Sequence, residues 1–267
     1  MKIGVFDSGL GGLTILRELL RRLPEYDYIY LGDNARVPYG VRSPEIIYEF
    51  TKNGVDFLFK KNCQLIILAC NTATATSLKK LQQDYLPKNY PNRRVLGVIK
   101  PAVEAIQQAR FHRVGVIGTY TTVQSKAFLR EIKKVFPKIQ VFQQACPLLV
   151  PIIEEAEIDW EGLDLILKKY LQLLKEKKID SLILGCTHYG MVEGNIRKIV
   201  GEKVKIINES EQVSYKLKKY FQKYPEVEKK LSKKSKREFY VTDLNDRYQK
   251  MADWFLGEKN KLNLIDL

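Results

Sequence analysis

Leu65-Ile66-Ile67-Leu68-Ala69-Cys70-Asn71-Thr72-Ala73-Thr74 is an aliphatic run, a small residue, a cysteine, and then polar residues able to open a helix. An apolar run of this length, bounded by turn and cap residues, reads as a buried parallel strand. Cys70 therefore stands at the carboxyl end of a strand, the edge at which open α/β sheets bind ligands. The pattern returns at Ser181-Leu182-Ile183-Leu184-Gly185-Cys186-Thr187-His188-Tyr189-Gly190, with Cys186 lying 116 residues after Cys70. The front of the chain repeats too. Lys2-Ile3-Gly4-Val5-Phe6-Asp7-Ser8 matches Arg113-Val114-Gly115-Val116-Ile117-Gly118-Thr119 at an offset of 111. Two segment pairs at similar offsets suggest two copies of one α/β unit. If the copies face each other about a pseudo-twofold axis, the cysteines approach from opposite sides. A thiolate and a thiol on opposite faces of a carbon can remove and return a proton, which inverts a stereocentre.

The chain has 267 residues, enough for one large or two small domains with a sizeable core. Its 45% hydrophobic and 28% charged content is that of an ordinary globular protein. Apolar runs fall far short of a membrane span. The N-terminus enters a strand directly, without a signal-peptide pattern, so a cytoplasmic location is the default. The four cysteines, Cys63, Cys70, Cys146 and Cys186, form no CxxC pair, and there are only two histidines, so neither a zinc site nor a disulfide framework is expected. Cys63 and Cys146 read as structural. Net charge is +14, partly from Lys229, Lys230, Lys233, Lys234, Lys236 and Arg237. That run lacks interleaved aromatics and any recognition motif, so it reads as a solvated face.

Along the chain, strand Lys2–Phe6 leads into Asp7-Ser8-Gly9-Leu10-Gly11-Gly12 and a helix to about Arg22. The glycine turn can hold a carboxylate or phosphate on its N–H groups, or simply allow close backbone approach. It is neither GxGxxG nor a Walker loop. Tyr28–Leu31 is a strand. Ser43-Pro44 caps a helix over Glu45–Lys60, weakened at Gly54. Strand Leu65–Ala69 is followed by a helix over Ala73–Tyr85, broken by Pro87 and Pro91. Val95–Val98 is a short strand, and Lys100-Pro101 opens a helix to Ala109 at the first domain crossing. The second copy has strand Val114–Ile117, helix Gln124–Val135, strand Gln140–Gln143, a helix capped by Asp159 and running to about Lys177, and strand Leu182–Leu184. Val204–Ile207, Phe239–Thr242 and the tail Leu262–Leu267 are further strands. Helices cover Glu211–Tyr224 and Asp246–Phe255. The C-terminal part should pack back on the first domain, giving domains of 1–98 with 208–267, and of 99–207.

Asp7-Ser8-Gly9-Leu10-Gly11-Gly12, Pro38-Tyr39-Gly40, Cys70-Asn71-Thr72-Ala73-Thr74 and Gly185-Cys186-Thr187-His188-Tyr189 together resemble the motif set of bacterial glutamate racemases, in order and spacing. The match extends through Phe239-Tyr240-Val241-Thr242 and Trp254-Phe255-Leu256-Gly257. The resemblance implies an α/β chain of two similar flavodoxin-like domains with parallel sheets and an active site in the cleft between them. It implies a cofactor-independent isomerase that interconverts L- and D-glutamate for peptidoglycan synthesis, commonly as a homodimer. Cys70 and Cys186 match the two catalytic cysteines, and Asp7 and His188 the polar groups that assist them. Ser8, Tyr39, Gly40, Asn71, Thr72 and Thr187 match substrate contacts. Thr74 and Thr119 to Thr122, with Thr119 and Thr122 foremost, are further contacts, and Glu154 matches an accessory carboxylate near the second cysteine. The chain departs from the family pattern at Gly190 and Met191, where Pro-Leu is usual, and at Ala102 and Ala156, where Gly is common. Related aspartate racemases usually carry Glu at the position of His188, which favours glutamate here.

The chemistry explains those residue types. The α-hydrogen of an amino acid is weakly acidic, and no lysine is marked as a Schiff-base former for a pyridoxal cofactor. A well-placed base in a dry site is the remaining route. A thiol titrates ordinarily near about 8.5, and a helix N-terminus or a nearby cation activates it. Both cysteines are expected just before helices. Asn71, Thr72, Thr74 and Thr187 offer donors for the two carboxylates of glutamate. Other readings are a racemase of aspartate or of broader specificity, a thiol-redox switch using Cys70 and Cys186, and association with nucleic acid or DNA gyrase, which the basic charge permits.

Overall fold

The computed structural model describes residues 1–106 and 111–267. Ten strands follow one another among them: β1 Lys2–Asp7, β2 Tyr28–Gly32, β3 Cys63–Leu68, β4 Arg94–Gly97, β5 Arg113–Gly118, β6 Gln140–Ala145, β7 Ser181–Gly185, β8 Lys205–Asn208, β9 Arg237–Val241 and β10 Leu262–Leu264. They form two sheets, one ordered β10-β9-β2-β1-β3-β4 and the other β6-β5-β7-β8. Every pairing is parallel. The sheets share one topology, since β2-β1-β3-β4 and β6-β5-β7-β8 follow the same order, with β1 and β5 as equivalent centres. The internal repeat of the sequence is thus a repeat of architecture. β3 and β7, which lead to Cys70 and Cys186, occupy the same slot beside those centres.

Aliphatic runs make these strands because both faces of a parallel sheet are covered by helices. β3 and β7 are buried along their whole length. The C-terminal segment returns to the first sheet: β9 pairs with β2, and β10 with β9. Asp27, just before β2, accepts the backbone N–H groups of Lys234 and Lys236 at 3.0 and 2.9 Å, which pins the basic run at this edge. The side chains of Lys229, Lys230, Lys233, Lys234, Lys236 and Arg237 remain exposed, as a solvated face should. No helix among the described residues is long and apolar enough to cross a membrane.

Several elements differ from the sequence expectation. Helix Asn71–Lys80 starts at once after Cys70, continues as a wide π turn over Leu81–Tyr85, and resumes as helix Leu86–Asn89. Pro87 does not end it, because it falls in the first turn of the resumed segment, where its missing N–H costs nothing. The helix expected over Gln124–Val135 is two, Tyr120–Gln124 and Ala127–Val135, separated by Lys126 in the left-handed region at φ 55°. Helix Glu161–Glu176 carries no side-chain cap, so Asp159 does not begin it. The helix opened by Lys100-Pro101 covers Ile99–Ala105, and its expected end at Ala109 lies outside the described residues.

Candidate active site

The Asp7-to-Gly12 turn leaves β1 and packs closely. Asp7 is buried, and its Oδ2 accepts the Gly9 N–H at 3.0 Å. Helix Leu13–Arg22 has no side-chain cap, so Asp7 is not merely a cap. Its Oδ1 is buried without a partner among the described residues. Burial raises the Asp7 carboxyl above its ordinary range, with the His188 charge and the Gly9 and Gly12 N–H groups pulling it back. Glycines are required here by space. A Cβ on Gly12 would lie 2.6 Å from the Asp7 Cβ, and one on Gly11 would lie 2.4 Å from the His188 ring. The glycine turn therefore seats the imidazole that comes from the other sheet.

Cys70 is the N-cap of helix Asn71–Lys80, its sulfur 3.4 Å from the Ala73 N–H and 3.2 Å from Ser8 Oγ. Burial pushes its thiol up to about 12, helped by the charges of Asp7 and Cys186, while the hydrogen bonds from Ser8 and Ala73 oppose the rise. Thiolate formation at Cys70 depends on Ser8, on the helix N-terminus and on the charge state of Asp7.

Cys186 follows β7 but does not precede an α-helix directly. A 3₁₀ turn, Tyr189–Val192, intervenes before helix Glu193–Val200. Its neighbouring cation is His188, whose Nδ1 lies 3.7 Å from the Cys186 sulfur and 3.4 Å from Thr187 Oγ1. On the far side, His188 Nε2 meets Glu154 Oε1 at 3.0 Å. The site is therefore asymmetric: one sulfur faces a helix N-terminus and a hydroxyl, the other an imidazole–carboxylate pair.

The remaining expected contacts mostly gather around this centre. Thr72 Oγ1 lies 2.9 Å from Thr119 Oγ1 and 3.2 Å from Thr122 Oγ1, and Thr119 donates to Thr122 at 2.9 Å. Thr121 donates to the Gly40 carbonyl at 2.9 Å. Gly40 has no room for a side chain, since a Cβ there would come within 2.8 Å of Thr119. Tyr39 is buried and donates to Asp33. Asp33 also receives Arg36 Nε at 2.7 Å and the Thr242 hydroxyl at 3.0 Å. Thr14 donates to the Thr187 carbonyl at 3.1 Å, another bond between the halves. Thr74 is not brought into this group. Its hydroxyl donates to the Leu68 carbonyl at 3.0 Å, and the side chain lines a separate cavity of about 830 Å³ with Leu78 and Gly97.

Four supporting residues were not singled out by the sequence. Gly11 was visible only as part of a turn that can hold an anion or allow close backbone approach. Asp33 and Thr242, which brace Tyr39, are 209 residues apart. Glu209 donates nothing recognisable in sequence, yet it is buried against Asn71. Of the family departures, Gly190 packs against Asn208, whose amide would stand 3.0 Å from a Cβ placed there. Ala156 occupies the left-handed region at φ 59°, where glycine is at ease. Ala102 is fully buried, in a core cluster with Ile99, Val103 and Phe128.

Residues 3–209 match the family described as Asp/Glu/Hydantoin racemase. The chain is 39% identical over 258 residues to the glutamate racemase of Geobacter metallireducens, covering 96% of this chain and 93% of that one. Among solved structures it is similar to the glutamate racemase of Francisella tularensis in complex with D-glutamate, at TM-score 0.89 and 36% identity over 99% of this chain and 97% of that one. It is also similar to the glutamate racemase isoform RacE1 of Bacillus anthracis, at TM-score 0.91 and 34% identity over 100% of this chain and 97% of that one.

Proposed function

The chain belongs to the Asp/Glu/Hydantoin racemase family, and from that premise we propose that it is a glutamate racemase working by two-base proton transfer between Cys70 and Cys186. The observation that carries this reading is the equivalent placement of the two cysteines. Each follows the strand beside the central strand of its sheet, in two sheets of one topology. In one direction the Cys70 thiolate takes the α-proton, and the electron pair left on the carbon is held by the adjoining carboxylate of the substrate. Cys186 then gives its proton to the opposite face. In the other direction the roles exchange, so each turnover leaves the two sulfurs with swapped proton states.

His188 supports a thiolate at Cys186, and Glu154 supports the imidazolium. Asp7 serves Cys70 best as a neutral acid, since its charge raises the thiol. Ser8, Asn71, Thr72, Thr119, Thr122 and Thr187 read as substrate contacts, with Tyr39 and Gly40 closing the pocket. Such preorganised donors stabilise developing charge more than water does. The cleft lies between a domain of 1–98 with 208–267 and one of 99–207. We further read the protein as a cytoplasmic homodimer that supplies D-glutamate for peptidoglycan.

The test is incubation of the purified protein with L-glutamate in deuterated water. Racemisation with deuterium entry at the α-carbon is expected, and Cys70→Ala and Cys186→Ala should each lose roughly 10²–10⁴-fold or more of the turnover. Exchange with aspartate but not glutamate would move the substrate. Exchange with neither would overturn the reading.

A further inference from the structure

Glu209 is a buried carboxyl that the proton-transfer scheme does not use. It follows β8 and opens helix Glu209–Lys223, and it is 2% exposed. Its side chain meets Asn71, equally buried at 2%, whose Nδ2 donates to Glu209 Oε2 at 2.6 Å. The other oxygens of both side chains, Asn71 Oδ1 and Glu209 Oε1, are buried and have no partner among the described residues. Among the described residues no cation pairs with Glu209 within 4.0 Å.

An isolated carboxylate in such a place is expensive, and so are two orphaned acceptors facing a dry interior. One proton resolves both problems. Placed on Glu209 Oε1, it gives that oxygen a hydrogen to donate to Asn71 Oδ1, while Asn71 Nδ2 continues to donate to Oε2. With the observed bond it would close an amide–acid ring that leaves neither acceptor unpaired. Burial pushes the Glu209 carboxyl well above the ordinary carboxylate range, and the Asn71 bond offsets only part of that.

We propose that Glu209 is held as a neutral acid and acts as a positioning residue, clamping the Asn71 amide beside Cys70 so that its second N–H is fixed for the substrate. This rests on the racemase reading for the role of Asn71, but the clamp itself does not. Asn71 is the residue after Cys70, so a rotated amide shifts a substrate donor without touching either sulfur. The clamp also ties the start of the helix that carries Cys70 as its cap to the point where the chain leaves the second sheet.

Two measurements test it. The first is an infrared difference spectrum between the wild type and Glu209→Gln near neutral pH. A protonated carboxyl C=O band lost in the variant is expected, whereas loss of a carboxylate band overturns the proposal. This readout needs no turnover, so it stands even if glutamate proves not to be the substrate. The second is steady-state kinetics with glutamate. Glu209→Gln, whose amide closes the same ring, should stay within about threefold of the wild type. Glu209→Ala, which leaves Asn71 unclamped, should raise KM about tenfold with a smaller change in kcat, the pattern of lost ground-state binding. Near-UV circular dichroism checks that both variants are folded. Unchanged KM in a folded Glu209→Ala, or equal loss in both variants, overturns the positioning role.

Discussion

His188 is held from every side. Glu154 takes Nε2, Cys186 and Thr187 face Nδ1, Phe255 meets the ring edge-on at 5.3 Å, and Gly11 leaves the space beneath. Burial alone would lower the imidazole, but hydrogen bonds to Cys186 and Glu154 outweigh it and raise the group to about 10 from 6.5. A group raised in the folded state binds its proton more tightly there than in the unfolded chain, so its contribution to stability is complete below about pH 6.5 and is lost as pH rises through about 10. Denaturant midpoints of wild type and His188→Asn, measured across that window, should converge as pH rises. A constant difference would show that no proton is gained at this site on folding. A second residue prediction concerns Ala156. At φ 59° its Cβ crowds the backbone, and no glycine relieves it. Ala156→Gly should therefore stabilise the fold by about 1 kcal/mol despite the added freedom of the unfolded chain, read as a higher urea midpoint. An unchanged or lower midpoint would mean that the helix end absorbs the strain. The placement of Cys70, Cys186, Asp7 and His188 at or near strand ends was legible because each sits within a motif beside an apolar run. Glu209 was not, since its partner lies 138 residues away and burial alone makes it matter.

At the scale of elements, helix Pro44–Lys60 shows how a weak local signal can carry a strong packing reason. Ser43 caps it and Pro44 opens it, as the sequence indicates, but Gly54 in its interior looks like a defect. A Cβ at Gly54 would stand 2.3 Å from Phe6 Cε2, and Phe6 is fully buried in β1. The helix lies so close to the sheet that only glycine fits. Gly54→Ala should then destabilise by about 1–3 kcal/mol through overpacking, although alanine is the better helix former. Thermal and urea unfolding both report this, and a stabilised variant would show that Phe6 yields. The same contrast marks which elements were readable. Strands β1, β3, β5 and β7 announce themselves as unbroken apolar runs, because both faces are covered. The break at Lys126 carries neither Gly nor Pro. It is made by Ser125 Oγ accepting the Ala127 N–H at 3.1 Å, so Ser125 acts as a start signal inside what reads as one helix. The turn after Cys186 was missed for a related reason: polar residues after a strand indicate that a helix can open, not that a 3₁₀ turn delays it.

For the whole molecule, duplication alone suggests two independent halves, but the core argues otherwise. One cluster of buried side chains includes Val5 and Leu65 of the first sheet, Leu182 and Leu184 of the second, and Leu217 and Phe221 of helix Glu209–Lys223. That helix packs on both helix Leu13–Arg22 and helix Ile99–Ala105, and Lys216 on it pairs with Glu104 at 2.7 Å. The chain crosses between the sheets twice, after β4 and after β8, so neither half is a continuous segment. Polar bonds reinforce the seam: Thr14 to the Thr187 carbonyl and Thr121 to the Gly40 carbonyl. Splitting the halves would expose this shared apolar surface at roughly 25 cal/mol per Å², a cost that neither sheet could recover alone. Calorimetry of the ligand-free protein should therefore give one transition, with calorimetric and van't Hoff enthalpies equal per cooperative unit. Leu217→Ala, which removes a side chain from the seam at a cost of about 2–5 kcal/mol, should move that single transition down as a unit. Two resolved transitions, in the wild type or the variant, would show that the sheets unfold separately and that the seam is a contact between domains and not a common core.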